Sequence, residues 1–112
     1  MKLPNVHLAI VEPEKIVDYI LNAAHPDNGG KALFFFSLGF RRTEWLPLAT
    51  AFRNVAESHP VAKNIASPHG RKYIVDGRIA TPSGKTPFVR TVWIVDLALD
   101  RPRLVTAYPR EE

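Results

Sequence analysis

The apolar pattern of this chain changes period once, near residue 70, and that change constrains the fold more than any other feature. Before it, apolar residues recur at helical spacing; after it, they alternate or run in β-branched blocks. Helices first and strands second, with short connections between the strands, describe an α+β domain. The expected architecture is two to three N-terminal helices, within about residues 12–58, packed on a curled antiparallel β-meander of three to four strands at about 70–109. The 112 residues suit one domain spanning 1–112, and 46% apolar content is ordinary for a globular core.

A first helix is expected from Pro13, which fits a first helical turn, with Glu12 and Glu14 complementing the dipole and Ile16, Val17 and Ile20 forming the apolar stripe. Lys31 opens a second, short buried helix through the three phenylalanines 34–36, and Gly39 stops it. Thr43 is the expected cap of a third, in which Trp45, Leu48, Phe52 and Val55 share one face. Strands follow at Tyr73-Ile-Val, at Val89 to Val95 and at Arg103 to Tyr108. Asp76-Gly77 reads as a turn or bulge, and Thr81-Pro-Ser-Gly-Lys as a turn. Period two puts Arg90, Val92, Ile94 and Asp96 on one face of their strand, and Leu104, Thr106 and Tyr108 together on one side of theirs.

Several chemistries are excluded by what the chain lacks. With no cysteine there is no disulfide framework, thiolate metal site or Cys nucleophile. His7, His25, His59 and His69 have no metal spacing, and neither a nucleotide-binding loop nor a Gly-x-Ser-x-Gly elbow occurs. No metal and no cofactor are expected. The longest apolar run, Ala32 to Phe36, is far short of a membrane span, and the first residues lack a signal-peptide stretch, so a cytoplasmic protein with no membrane partner is expected.

The net charge of +4 is unevenly spread. Residues 1–59 carry six basic and six acidic side chains, whereas residues 60–110 carry nine basic against Asp76, Asp96 and Asp100, a balance of +6. A basic strand half suits an anion-binding surface, and equally it serves solubility alone.

The residues left for chemistry form a cofactor-free set. His25 follows the first helix, and imidazole is the usual acid or base near neutral pH; it is equally a cation capping a helix end. Lys31 can neutralise a phosphoryl oxygen or be merely solvated. Thr106 and Tyr108 present two hydroxyls to one cleft or form a half-buried edge pair, and Arg71 and Lys72 lie near that edge. Such a set permits metal-independent RNA cleavage: a base takes the 2′-OH proton, cations stabilise the phosphorane, and an acid protonates the leaving 5′-oxygen.

His25-Pro26, Lys31-Ala32-x-Phe34-Phe35-x-x-Leu38-Gly39-Phe40, Gly70-Arg-Lys-Tyr, Thr91-Val-Trp-Ile-Val and Thr106-Ala-Tyr-Pro109 together resemble a bacterial family of small domains of unassigned function. The resemblance runs from Leu3 to Pro109. It implies a toxin-like setting, a layout similar to the barnase–EndoU–colicin–RelE ribonuclease superfamily, and His25, Lys31, Thr91, Thr106 and Tyr108 as the family's motif positions. The leading expectation is a toxin-like, metal-independent endoribonuclease acting on tRNA or mRNA. In it the catalytic set is His25 as base or acid, Lys31 as a phosphate contact, and Thr106 and Tyr108 as positioning groups, while Arg71, Lys72, Arg90 and Arg103 bind nucleic acid. A small acidic antitoxin or immunity protein is the expected protein partner. The alternatives are a non-catalytic module binding nucleic acid or protein, and an immunity-like accessory, which the positive charge disfavours.

Overall fold

Strands β2 (Gly70–Arg78) and β3 (Phe88–Asp96) pair antiparallel from Gly70 against Asp96 to Arg78 against Phe88 in the computed structural model, which describes residues 1–112. Strands β1 (Val61–Ser67) and β4 (Arg103–Pro109) flank them, giving one antiparallel sheet in the order β1-β2-β3-β4. The helices precede the strands: a π-helix at Lys15–Ile20, then α1 (Lys31–Ser37) and α2 (Leu46–Ser58). The domain is α+β.

Alternation of side chains decides which face of the sheet is covered. Tyr73, Val75, Val89, Thr91 and Trp93 are buried together with Ile16, Ile20, Phe35, Leu48, Phe52 and Val55 of the helical layer. Phe35 stacks edge-on to Phe52, with ring centroids 5.6 Å apart. The Thr91 hydroxyl is consumed inside this core, donating to Val75 O at 2.7 Å and accepting from Trp93 Nε1 at 2.8 Å.

Gly39 ends α1 as expected. At φ +95° its N–H donates to Phe36 O and the Phe40 N–H to Phe35 O, a Schellman closure, and a Cβ there would meet Pro82 at 2.9 Å.

Four local expectations are corrected. Thr43 does not cap α2; Trp45 occupies that position with no side-chain hydrogen bond, Pro47 fills the first turn, and Thr43 lies in the preceding Arg41–Glu44 turn. Asp76-Gly77 is strand interior, because the missing Cβ of Gly77 leaves room for the His59 imidazole, which would lie 2.7 Å from one. The sheet begins at Val61 rather than near residue 70, since β1 is exposed on both faces from Ala62 to Ala66 and shows no alternation to read.

The fourth correction matters most for the site. Trp93 faces Leu104 but Val92 faces Thr106, so Val105 is an extra residue, a β-bulge. Leu104 is therefore buried in the core, while Thr106 and Tyr108 turn to the outer face beside Val92 and Arg90. Leu104 does not share their side.

Candidate functional site

Tyr19 organises the site. In the π-helix that carries it, the Leu21 N–H reaches back five residues to Ile16 O at 2.8 Å. Such widened turns are uncommon and recur at functional sites. Here the turn sets the Tyr19 hydroxyl 3.1 Å from Thr106 Oγ1. The His25 ring packs edge-on to Tyr19 with centroids 5.0 Å apart. Lys31 Nζ lies 5.5 Å from the Tyr19 ring centroid and 6.0 Å from that of Tyr108. His25, Lys31 and Thr106 thus each meet the Tyr19 side chain at the β4 edge, and Tyr108 joins them through Lys31.

Asn28 holds the helical side of this arrangement. Buried at 3% exposure, its Nδ2 donates to Tyr19 O (2.7 Å) and Ile20 O (3.1 Å), and its Oδ1 accepts from the Ala32 N–H at 2.9 Å. One side chain therefore joins the end of the π-helix to the start of α1. The Lys31 ammonium donates to Asn28 O at 3.0 Å and takes part in none of the four ion pairs, so no carboxylate neutralises it. His25 Nδ1 accepts the Asp27 N–H at 3.1 Å, which leaves the proton of the neutral ring on Nε2 as a donor.

A cleft of about 430 Å³ opens at Lys31, lined by Gly29, Gly30, Lys31, Tyr108 and Pro109. His25 opens on a neighbouring depression of about 230 Å³, shared with Tyr19, Lys15 and the acidic Glu12, Glu14 and Asp18. No three of the His, Asp and Glu side chains come together in a way that could hold a metal ion.

The basic residues of the strand half do not form one surface. Arg90 stands beside Tyr108 but is locked to Asp76 by two hydrogen bonds of 2.9 Å, the two side chains being 17% and 16% exposed. Its pKa is raised, chiefly by hydrogen bonding to Asp76, against the opposing effect of burial and with further support from the Asp76 charge. Arg103 pairs with Asp96 at 3.3 Å at the far end of β4. Arg71 and Lys72 lie at the far end of β2, opposite Val95 and Ile94. Arg71 is five residues from Asp76, about 17 Å away at roughly 3.3 Å per residue. Thr91 is buried under the sheet, away from the cleft.

Tyr19 and Asn28 were not read from the sequence as site residues. Tyr19 falls beside the apolar stripe of an expected ordinary helix, and Asn28 sits in a polar Asn/Gly stretch that reads as a loop. The one available signal was an Asn directly before two glycines and a helix, a pattern that marks a side chain bonding the local backbone.

No helix is long and apolar enough to cross a membrane. No curated protein matches the chain. Among solved structures, one chain of the contact-dependent growth inhibition toxin–immunity protein complex from Klebsiella pneumoniae 342 is similar to it. The TM-score is 0.74 at 20% identity, over 96% of this chain and 97% of that one, and the two share a fold. The family model described as Domain of unknown function (DUF6883) matches residues 2–111, and the chain belongs to that family.

Proposed function

We propose that this protein is a toxin-like, metal-independent endoribonuclease acting on tRNA or mRNA at the Lys31–Tyr108 cleft. The observation that carries the reading is the meeting of His25, Lys31 and Thr106 at Tyr19, with Tyr108 across the Lys31 ammonium, which no carboxylate neutralises, at the mouth of an open cleft. The fold shared with a chain of a growth inhibition toxin–immunity complex supports the toxin-like part. So does the resemblance of the layout to the barnase–EndoU–colicin–RelE ribonucleases.

The 2′-oxygen of the substrate attacks the adjacent phosphorus, the P–O5′ bond breaks, and the products are a 2′,3′-cyclic phosphate and a 5′-hydroxyl. Lys31 neutralises the charge that grows on the phosphoryl oxygens. Thr106 and Tyr108 orient the phosphate, and Arg90, held by Asp76, fixes the place of Tyr108. His25 takes the proton of the 2′-OH and returns one to O5′. To accept at Nε2, the ring must carry its own proton on Nδ1, which requires the Asp27 N–H to give up the hydrogen bond it makes to that nitrogen. The protein partner of such a toxin is a small acidic immunity protein, complementary to the +6 balance of residues 60–110.

The test is incubation of the purified protein with total RNA in EDTA. Fragments ending in 2′,3′-cyclic phosphate are expected, with the rate falling about 100-fold in Lys31→Ala, as for loss of one transition-state donor. Intact RNA, together with unimpaired growth on induction, refutes the reading. Salt-dependent RNA binding without cleavage, unchanged in His25→Ala, favours the second reading, a non-catalytic binding module.

A further inference from the structure

The two edges of the sheet are treated differently. The β4 edge is engaged: the Ile10 N–H donates to Pro102 O at 2.8 Å, the Leu104 N–H donates to Ile10 O at 3.0 Å, and Tyr19 meets Thr106. The β1 edge is bare beyond Val61, whose N–H is taken by Met1 O, and Ala62 to Ala66 are exposed on both faces. An uncovered strand edge is a template for another chain.

Charge selects the occupant. From Ser58 to Val75 there is no carboxylate, only Lys63, Arg71 and Lys72 with two histidines, and none of the three cations is in an ion pair. Register places Lys63, Ile65 and Lys72 on one face, since Lys63 opposes Ile74 and Ile65 opposes Lys72. Ile65 is 44% exposed between the two ammonium groups. At the same end of the sheet Leu97, 81% exposed, donates its N–H to His69 O in the β1–β2 turn. A second copy of β1 would bring like charges together, which is unfavourable across paired strands.

We propose that the β1 edge takes an extended acidic strand from a partner protein as a fifth strand of the sheet, with carboxylates over Lys63 and Lys72 and an apolar side chain on Ile65. This rests on the acidic-partner reading above and not on the nuclease chemistry. Because β1 and β4 are opposite edges of the sheet, three strand spacings or about 14 Å apart at roughly 4.8 Å each, the partner docks without filling the Lys31 cleft on the β4 side.

The probe is a capped ten-residue peptide with threonine on one face and alternating Glu and Val on the other, titrated into the full chain under amide hydrogen exchange. A Lys-for-Glu peptide and oligouridylate serve as comparisons. The acidic peptide is expected to protect amides within Ala62–Ser67 at least tenfold. Lys63→Glu with Lys72→Glu, both exposed positions, is expected to weaken binding at least tenfold. Absent protection, protection at the Lys31 cleft instead, or equal binding of the Lys peptide overturns the proposal. Tighter protection of the same amides by oligouridylate overturns it in favour of RNA. None of these measurements reads cleavage, so their failure and that of the nuclease reading are separable.

Discussion

Replacing Asn28 by Ala removes three hydrogen bonds from a side chain that is 3% exposed: two donated to Tyr19 O and Ile20 O, one accepted from the Ala32 N–H. At about 1 kcal/mol net for each, the loss is about 3 kcal/mol; Tyr19 O keeps the Asn22 N–H, and the buried Ile20 O and Ala32 N–H lose their side-chain partner. In a domain of this size the melting temperature falls by about 12 °C, taking about 4 °C per kcal/mol. Asn28→Asp separates two explanations. If the residue were only a helix cap, Asp would serve as well as Asn. In this structure Asp keeps the acceptor for Ala32 but turns an oxygen toward two carbonyl oxygens, so it is expected to be no better than Ala. Urea unfolding, with the slope checked for constancy, measures both variants. A loss below about 1 kcal/mol in Asn28→Ala, or an Asn28→Asp variant as stable as the parent, refutes the reasoning.

Two further outcomes concern one buried and one half-buried polar pair. Thr91→Val leaves Trp93 Nε1 without a partner and takes the side-chain bond from Val75 O, at a cost of about 2 kcal/mol, whereas Thr91→Ser keeps both bonds and costs about 1 kcal/mol; urea midpoints of the two variants check the order. Asp76→Asn leaves the Arg90 guanidinium uncompensated and costs about 2 kcal/mol, below the range for a fully buried pair. Because the folded pKa of Arg90 is raised, its contribution is complete below the ordinary arginine range and is lost only above it. The stability gap between parent and Asp76→Asn is therefore expected to stay flat from about pH 6 to 9 as far as Arg90 is concerned; urea midpoints across that window check it, and a gap that closes within it counts against this.

The parts of the structure that were legible are those where burial follows one period. Leu48, Phe52 and Val55 announced α2, and the alternation through Arg90, Val92, Ile94 and Asp96 separated the outer face of β3 from the one that carries Thr91 and Trp93. β1 was illegible because five consecutive exposed residues carry no alternation. Asp76-Gly77 misled because the usual turn signal is used for packing against His59. The clustering of His25 and Lys31 with Thr106 and Tyr108 depends on a π-helix and a β-bulge, and neither leaves a compositional trace. Tyr19 and Asn28 were missed for the same reason: their importance comes from backbone geometry, not from residue type.

The bulge at Val105 gives strand length a chemical meaning. One surplus residue switches the face of everything after it, which puts a threonine against Tyr19 and a phenol on the rim of the cleft rather than in line with the buried Leu104. A relative shorter by that one residue would retain every reactive group in its sequence and keep the scaffold, yet aim its two hydroxyls at the opposite face of the sheet. In this domain, whether the hydroxyls meet the lysine is decided by a count.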